Sequence, residues 1–333
     1  MKTPANPPSS PEVFGIPIQG GSLEEILAWA SDETNTDAKW IVTANPEILL
    51  EVKRNPVYAS AVKQADYVCV DGFGLWVGLR CAGYPVERVT GVKLAEALVA
   101  EAARKKLRVG FIGGAPGVAA RVRTFWEERF PELSAVAEEG GKIQPDGAGD
   151  LAEEEAVHRL VLEAPQILFV AFGGGSKQEA WIARRLADLP SVKLIVGVGG
   201  AFDFWVGRIK RAPTLLQTLG LEWLWRLIQE PQRWKRILRA TIVFPLLFLV
   251  DQFKRPGPAR KQLAYTVSIL LRVLFFLFIL CPALNRYIQA VLAQGIRVYR
   301  WMLVDLIVPF VLIVVLYPVF AFFRRFYRQK KAS

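Results

Sequence analysis

The chain has 333 residues, of which 52% are hydrophobic, and a formal net charge of +11, so it is long enough for one large domain with an appendage or for two domains. Residues 1–206 hold 21 Lys and Arg against 27 Asp and Glu, whereas residues 207–333 hold 21 against 4. This asymmetry indicates an acidic body joined to a basic segment that meets polyanions, and the apolar runs of the basic half favour anionic membrane lipid over nucleic acid. Three cysteines without a CxxC spacing and a single histidine argue against a disulfide framework and a zinc site, and favour a reducing compartment.

Short β-branched runs alternate with amphipathic helical stretches over the first 200 residues, after a disordered lead at residues 1–11 without the apolar core of a signal peptide. Strands are predicted at Val13–Ile18, Trp40–Thr43, Tyr67–Val70, Arg108–Ile112, Ile167–Phe172 and Lys193–Val198. Helices are predicted at about residues 22–31, 46–64, 91–105, 116–130, 151–163 and 177–188. This alternation predicts an α/β domain over residues 12–206, with a mostly parallel sheet covered by helices on both faces.

Four predicted strands end in polar or glycine-rich turns. These turns are Thr43-Ala44-Asn45-Pro46, Asp71-Gly72, Gly113-Gly114 and Gly173-Gly174-Gly175. Ligands of parallel α/β sheets bind outside the carboxyl ends of the strands. We therefore expect these turns to converge on one crevice.

The segment Val196–Arg239 becomes densely cationic and aromatic after the last predicted strand. Helices rich in Trp and Arg are predicted at residues 221–239, with a break at Pro231. Interleaved arginine and tryptophan suit a surface that binds phosphate at the edge of a bilayer. Residues 207–250 are therefore predicted to form a basic appendage that completes the site at the membrane.

Residues 251–333 contain two long apolar runs, Leu263–Leu284 and Trp301–Phe323, each with one charged residue. Both are long enough to span a bilayer, which takes roughly 20 apolar residues, whereas Ala240–Val250 is too short. We predict a membrane-anchoring helical hairpin with a basic tail. The positive-inside rule places the body and the tail at the cytoplasmic face of the cell membrane. The alternative is a pair of helices that lie in the membrane interface.

Two glycine clusters, Gly110–Gly117 and Gly197–Phe202, invite comparison with dinucleotide-binding turns, but neither fits GxGxxG. The sequence also has no GxxxxGK[ST], which removes a P-loop ATPase. A glycine turn that leads from a strand into a helix still offers backbone N–H groups to a phosphate. A nucleotide ligand is therefore plausible, whereas a redox cofactor is not supported.

Asp71 is the first candidate for proton transfer, because the only histidine, His158, lies in a charged helical stretch. Asp71 ends an apolar run and precedes Gly72, which would let a substrate approach the backbone closely. The alternative is that Asp71 merely caps a helix that starts near Phe73.

Thr43, Asn45 and Glu179 each have an ordinary alternative as well. Thr43 and Asn45 can bond sugar or phosphate oxygens, but Asn45-Pro46 is also a standard start of a helix. Glu179 opens a predicted helix, where a carboxylate favours the positive end of the dipole. Their recurrence at one edge of the sheet is what favours a functional site.

Taken together, the motifs of residues 12–239 resemble those of the WecG/TagA/CpsF glycosyltransferases. They are Thr43-Ala-Asn45-Pro-Glu47, Asp71-Gly72, Arg88-Val-Thr-Gly91, Gly173 to Glu179, Gly197-Val-Gly-Gly-Ala-Phe-Asp203, Gly207, Arg211-Ala-Pro213, Gly220-Leu-Glu-Trp223, Arg226-Leu, and Glu230-Pro231 to Arg233. The resemblance implies a Rossmann-like fold of the GT-E type. It also implies metal-independent, inverting transfer of N-acetylmannosamine or its uronic acid from a UDP donor to polyprenyl-diphosphate-linked N-acetylglucosamine.

The resemblance also implies roles for individual residues. Asp71 is similar to the proposed general base, and Thr43 and Asn45 to a polar pair near the sugars. Residues expected to bind the substrates are Arg88, Gly113, Gly114, Gly173, Lys177, Gln178, Glu179 and Asp203. Arginines expected to bind the lipid diphosphate and the membrane are Arg208, Arg211, Arg226, Arg233, Arg236 and Arg239. No cofactor and no metal site are expected, since the resemblance implies metal independence and nothing in the sequence corresponds to the Asp-x-Asp metal clamp of many nucleotide-sugar enzymes. Arginines and helix N-termini would then meet the charge of the leaving group.

This chain departs from the family pattern at two places. Ser176 replaces the proline usual before Lys-Gln-Glu, and about 90 further residues include the two predicted spans. Permanent anchoring is therefore expected rather than peripheral attachment. The spans could pair in a homo-oligomer, although no GxxxG pattern supports this. The alternative function is a catalytically silent membrane scaffold for polysaccharide-assembly enzymes, in which the candidate side chains would be scattered.

Overall fold

The structure is a computed structural model that describes residues 10–32, 37–173, 177–218, 220–255 and 258–275. The chain divides into two units. The first comprises Met1–Leu79 and Val86–Asp251, and the second comprises Arg80–Pro85 and Gln252–Ser333. The domain boundaries predicted at residues 206 and 250 stay predictions.

The first unit is built on a parallel sheet. Its strands are β1 Glu12–Val13, β2 Ile16–Pro17, β3 Lys39–Ala44, β4 Tyr67–Val70, β5 Val109–Gly113, β6 Ala135–Glu138, β7 Ile167–Ala171 and β8 Leu194–Gly197. The sheet has the order β4-β3-β8-β7-β5-β6, and every pairing in it is parallel. The four inner strands are buried along their whole length, which explains why they are continuous apolar runs rather than alternating ones. The predicted α/β class with a parallel sheet is confirmed.

Helices surround this sheet and continue into the C-terminal half. They are α1 Leu23–Ala30, α2 Pro46–Arg54, α3 Pro56–Val62, α4 Phe73–Cys81, α5 Gly91–Lys105, α6 Val118–Glu127, α7 Leu151–Glu163, α8 Lys177–Arg185, α9 Ala201–Trp205, α10 Thr214–Thr218, α11 Glu222–Gln229, α12 Trp234–Leu238, α13 Phe244–Lys254 and α14 Pro258–Phe275. A 3₁₀ turn at Pro231–Arg233 separates α11 from α12, at the predicted break.

Three predictions of local structure were wrong. Val13–Ile18 is not one strand, because Phe14 and Gly15 have φ of 51° and 83° and reverse the chain between β1 and β2. Residues 46–64 are not one helix, because Asn55 ends α2 in an extended conformation and caps α3 with its side chain. Strand β6 was missed because it is a short edge strand with a single buried residue.

An aromatic cluster fixes α6 and α9 on one face of the sheet. Phe111 of β5 stacks on Phe169 of β7, with 5.7 Å between the ring centroids. Trp205 of α9 meets Trp126 of α6 edge to face at 5.2 Å. Contacts of this kind add to the burial of large apolar surfaces. The turn that follows β8 is therefore held on a rigid base.

A buried ion pair fixes α8 against α7. The carboxylate of Glu153 is fully buried and accepts hydrogen bonds from Trp181 Nε1 at 2.6 Å and from Arg185 Nε at 2.8 Å. Removing one partner of such a pair leaves an uncompensated buried charge and is strongly destabilising. The orientation of α8, whose first turn carries candidate site residues, is thus determined by this pair.

The sheet has a point where neighbouring connections leave in opposite directions. From β5 the chain runs outward to β6, whereas from the adjacent β7 it runs inward to β8. In open parallel sheets, ligands bind in the crevice that opens at this point. The carboxyl ends of β5 and β7 border this crevice. The sequence predicts that the turns after β3 and β4 converge on it too, but these two strands lie on the other side of β8.

In the second unit, the start of α14 packs on the turn at Arg80–Pro85, where Thr266 Oγ1 donates a hydrogen bond to the carbonyl oxygen of Cys81 at 3.3 Å. Among the residues that the structure describes, no helix is both long and apolar enough to cross a bilayer. Of the two predicted spans, Leu263–Leu284 is described only as far as Phe275, and Trp301–Phe323 lies outside the described residues. The predicted hairpin stays a prediction.

Candidate active site

Asp71 directly follows β4, at the carboxyl edge of the sheet. Its backbone N–H donates to Ala44 O at the end of β3 (2.9 Å), and its own carbonyl accepts from Arg88 Nε at 3.0 Å. The alternative role as a helix cap does not fit, because Gly72 rather than Asp71 accepts the first hydrogen bond of α4, from Trp76 N at 3.0 Å. The side chain of Asp71 instead meets the backbone amide of Gly91, the first residue of α5.

The surroundings of Asp71 suit a group that exchanges a proton near neutral pH. Burial raises the pKa of its carboxyl to about 7, and Glu222 adds to this rise, although Arg88, Arg211 and the Gly91 amide act in the opposite direction. A carboxyl with such a pKa can hold or release a proton at physiological pH.

Thr43 connects three elements at the same edge. It is buried at the end of β3, and its hydroxyl donates to Gly197 O of β8 at 3.2 Å. Gly91, the first residue of α5, lies so close that a Cβ there would be 3.1 Å from Thr43 Oγ1. A larger residue at position 91 would displace the hydroxyl. Thr43 is therefore held firmly between two strands and a helix.

Asn45 and Gly72 serve the local structure more than the sequence indicates. The Asn45 side-chain oxygen accepts from Glu47 N at 2.9 Å and from Ile48 N at 3.1 Å. Asn45 therefore caps α2, which is the alternative that the sequence offers for Asn45-Pro46. The open side of Gly72 is filled by the protein itself, since a Cβ there would be 2.4 Å from Pro46 Cδ. The packing of the protein against Pro46 and Asn45 thus explains why position 72 is a glycine, and the approach of a substrate to its backbone stays a prediction.

Gln178 and Glu179 are buried in the first turn of α8 and belong to one hydrogen-bond network. Gln178 Nε2 donates to Glu179 Oε1 at 2.8 Å, and Gln178 Oε1 accepts from Gly199 N at 3.0 Å. Glu179 Oε2 accepts from Tyr58 of α3 at 2.6 Å. Burial raises the pKa values of both Glu179 and Tyr58. The network fixes the turn after β8, so Glu179 lies behind the crevice as a support.

The glycines expected to cradle a phosphate differ from one another. A Cβ at Gly113 would be 2.8 Å from Ala171 O, and one at Gly114 would be 2.9 Å from Val118 Cγ1, so the packing of the protein requires both. Gly173 has a φ of 75° and, among the described residues, faces open space. Gly174 to Ser176 lie outside the described residues, and Lys177 begins α8 with its side chain partly exposed. Gly173 therefore has the freest backbone of the three.

The basic appendage covers the carboxyl edge of this sheet. Arg88 Nη2 lies 3.6 Å from Glu222 Oε2 of α11, and its guanidinium is 5.7 Å from the centre of the Phe73 ring. Gly220 packs on that same ring, since a Cβ there would be 2.4 Å from Phe73. Arg226 of α11 packs on Gly200, which follows β8. The Trp- and Arg-rich helices are thus on the side of the sheet that carries Asp71.

Two carboxylates hold arginines of the appendage in place. Glu230 accepts from Arg226 Nε at 3.0 Å and from Arg233 Nε at 2.8 Å. Arg236 of α12 pairs with Glu47 in the first turn of α2. Burial lowers the pKa of Arg233, and repulsion by Arg226 lowers it further. This is the effect of several positive charges confined in a small space.

The remaining predicted residues occupy more ordinary positions. Arg208 pairs with Asp203 at 3.1 Å, and both side chains are partly exposed. Arg211 contributes a positive charge near Asp71, and its buried Nε has no hydrogen-bond partner among the described residues. Arg239 is exposed in a π-helical segment. Of Asp203, Arg208, Arg211 and Arg239, it is therefore Arg211 whose charge lies near Asp71.

Sequence reasoning assigned no role to the carboxylates Glu47, Glu222 and Glu230, or to Tyr58. A signal for two of them was present, because Glu222 and Glu230 are among only four acidic residues after position 206. Carboxylates that remain in a strongly cationic segment are expected to pair with its arginines. No comparable signal marked Tyr58, whose partner is 121 positions away.

Residues 11–258 match the family described as "Glycosyl transferase WecG/TagA/CpsF family". This match covers most of the chain, and the chain therefore belongs to that family and is a glycosyltransferase. The resemblance inferred from the motifs is confirmed, and the alternative of a catalytically silent scaffold is not retained.

Three curated relatives carry the name N-acetylglucosaminyldiphosphoundecaprenol N-acetyl-beta-D-mannosaminyltransferase. The protein of Bacillus spizizenii is 34% identical over 200 residues, which are 60% of this chain and 74% of the relative. The protein of Staphylococcus aureus strain MRSA252 is 30% identical over 250 residues, which are 73% of this chain and 93% of the relative. A protein with the same name from strain MW2 is similar to the same extent.

Proposed function

We propose that this enzyme transfers N-acetylmannosamine, or a closely related sugar, from a UDP donor to a polyprenyl-diphosphate-linked N-acetylglucosamine acceptor. The reaction inverts the anomeric centre and needs no metal ion. The names of the relatives support the transferred sugar and the acceptor. The single observation that carries the proposed mechanism is the position of Asp71 at the sheet edge, with a pKa of about 7 and three charged side chains around it.

In this mechanism, Asp71 acts as the general base. Its carboxylate takes the proton of the acceptor hydroxyl while that oxygen attacks C1 of the donor sugar from the face opposite to UDP. The bond between C1 and the UDP oxygen breaks, and the electron pair leaves with UDP. Attack from the opposite face inverts the configuration at C1. A base is most effective when its pKa lies near the working pH, which supports Asp71 in this role.

Arginines take the place that a metal ion has in many nucleotide-sugar enzymes. Arg88 and Arg211 lie near Asp71, and Arg226 lies against the turn after β8. Fixed positive charges at a developing phosphate charge stabilise the transition state, most strongly where water is excluded. Turnover in the presence of a chelator is therefore expected.

The exposed apolar side chains of the appendage support a position at the membrane. Trp223 and Ile228 of α11 and Trp234 of α12 are 40%, 67% and 53% exposed, and arginines and lysines flank them. A helix with this composition lies in the plane of the interface, with its apolar face among the lipids and its cations near anionic headgroups. Such a position would bring a lipid-linked acceptor to the crevice.

The test is a measurement of UDP release by the full chain with UDP-N-acetylmannosamine and a short-chain polyprenyl-diphosphate N-acetylglucosamine, in the presence of EDTA. We expect wild-type turnover with EDTA present and a β-configured product by NMR. Replacing Asp71→Asn removes the base but keeps the shape, and should lower kcat by roughly 100-fold or more.

Thermal unfolding of the Asp71→Asn variant serves as the control for folding. Full activity of a folded variant would remove Asp71 from the mechanism. Loss of activity on addition of EDTA that returns with Mg²⁺ would contradict metal independence. A panel of other UDP-sugars in the same assay identifies the donor.

A further inference from the structure

We propose that Glu230 is a positioning residue that holds Arg226 and Arg233 side by side as a fork for one diphosphate group. The proposal deepens the proposed function and rests on it. The shared ligand chemistry is a diphosphate, which both the UDP donor and the lipid-linked acceptor carry.

Glu230 binds both guanidinium groups through their Nε atoms. Glu230 Oε2 accepts from Arg226 Nε at 3.0 Å, and Glu230 Oε1 accepts from Arg233 Nε at 2.8 Å. These two hydrogen bonds therefore do not occupy the terminal nitrogens Nη1 and Nη2 of either arginine. The two terminal nitrogens of an arginine can make a bidentate contact with a phosphate, and this holds for Arg226 and for Arg233. One carboxylate thus sets the spacing of two phosphate-binding groups.

The place of this fork in the fold indicates where the diphosphate would lie. Arg226 is packed so closely on Gly200 that a Cβ added to Gly200 would be 2.8 Å from Arg226 Nη2. Its guanidinium also lies 5.3 Å from the centre of the Phe204 ring. Both neighbours follow β8, at the edge that carries Thr43 and Asp71. The Arg226 side of the fork therefore lies at the edge of the sheet that carries the site.

The balance of charge leaves room for an anion. Glu230 is shared by two arginines, and Arg236 lies close enough to Arg233 to lower its pKa further. Burial raises the pKa of Glu230, but the hydrogen bonds and the positive charges of Arg226 and Arg233 together outweigh that effect and lower it, so Glu230 is ionised at neutral pH. The side chains of Glu230, Arg226 and Arg233 are 18%, 24% and 27% exposed. Half-buried positive charge that exceeds the negative charge attracts a polyanion.

A positioning role and a simple electrostatic role make opposite predictions. If Glu230 only neutralised the arginines, its removal would increase the positive charge and strengthen the binding of a diphosphate. If Glu230 positions the arginines, its removal frees two long side chains, and ordering them again weakens binding. The direction of the change in KM therefore distinguishes the two roles.

The experiment compares Glu230→Gln and Glu230→Ala with the wild-type full chain, by varying the UDP-sugar and the short-chain lipid acceptor separately. We expect the KM for one diphosphate substrate to rise about tenfold or more in the Ala variant, with kcat changed by less than about threefold. The Glu230→Gln variant keeps one acceptor oxygen, so its KM should lie between the values for the wild type and the Ala variant. The substrate whose KM rises is the one that the fork binds.

The matched control is Glu101→Gln, which makes the same change at a carboxylate that pairs with Arg104 and Lys105 on the surface of α5. It should leave both KM values unchanged. Unchanged or lower KM values for both substrates in the Glu230 variants, at a temperature where all variants are folded, would overturn the proposal. A wild-type protein without turnover would instead contradict the proposed function, so the two failures are distinguishable.

Discussion

At the scale of single residues, the pKa of Asp71 predicts how activity depends on pH. Burial raises it to about 7, and only the ionised carboxylate can take a proton. The value of kcat/KM for the acceptor is therefore expected to rise with pH through about 7 and to level off above it. A pH profile of UDP release between pH 5 and 9 measures this, and a profile flat down to pH 5 would contradict it.

Glu222 offers a way to move that profile. Its negative charge adds to the rise in the pKa of Asp71, so Glu222→Gln should favour the ionised carboxylate and shift the acidic limb to lower pH. Glu101→Gln, at a distant carboxylate, should leave the limb in place. A shift to higher pH in the Glu222 variant would show that another group is being titrated.

Residue identity alone determined which side chains were candidates but not what each one does. Asn45 and Asp71 both follow buried strands in the sequence, yet Asn45 caps the helix that directly follows it, whereas the Asp71 carboxyl is contacted by the Gly91 amide at the start of α5. The difference depends on where each chain segment turns after its strand. Only the backbone path shows this.

At the scale of elements, the contact between α3 and α8 predicts the effect of a distant tyrosine. Tyr58→Phe removes the hydroxyl that donates to buried Glu179 and leaves that carboxylate with fewer partners. Leaving a buried acceptor unsatisfied costs about 1–3 kcal/mol. We expect a lower free energy of unfolding and, because Gln178 and Gly199 belong to the same network, a higher KM for the UDP-sugar.

Tyr67→Phe is the matched control for that prediction. The hydroxyl of Tyr67 accepts a hydrogen bond from Gly21 N at 3.2 Å, and Tyr67 lies at the amino end of β4, whereas Asp71 follows the carboxyl end of the same strand. Its loss should affect the free energy of unfolding without affecting the KM for the UDP-sugar. Equal effects of the two variants on that KM would show that α8 does not transmit the change.

Among the elements, long and strongly patterned segments could be predicted and short ones could not. The predicted bounds of α5, α7 and β4 agree with the structure. The hairpin of β1 and β2 was missed because the turn uses Phe14 at positive φ, where a bulky residue is rare. Strand β6 was missed because its edge position removes most of the apolar signal.

At the scale of the whole molecule, the uneven charge predicts how activity depends on salt. Residues 207–333 hold 21 Lys and Arg against 4 Asp and Glu, and several of these cations flank exposed apolar side chains. Each cation near an anionic leaflet contributes about 1 kcal/mol, and salt screens this attraction. With a lipid-linked acceptor, activity in anionic vesicles should fall more steeply with NaCl than activity in neutral vesicles.

The short-chain acceptor in detergent is the control for that measurement, because it needs no anionic bilayer and should show a weak dependence on salt. The same steep fall in neutral vesicles would place the effect of salt on the site itself. That result would contradict electrostatic attachment of the protein to anionic lipid.

The sequence by itself determined the parallel α/β class, the family and the set of candidate residues, because buried strands, helix starts and motif spacing are local properties of the chain. Only the tertiary structure decided that Arg88, Arg211 and Glu222 surround Asp71, that Tyr58 supports Glu179, and that Glu230 joins Arg226 and Arg233. Ion pairs and buried hydrogen bonds depend on distances between atoms far apart in the chain. Those distances are set by how the helices pack on the sheet.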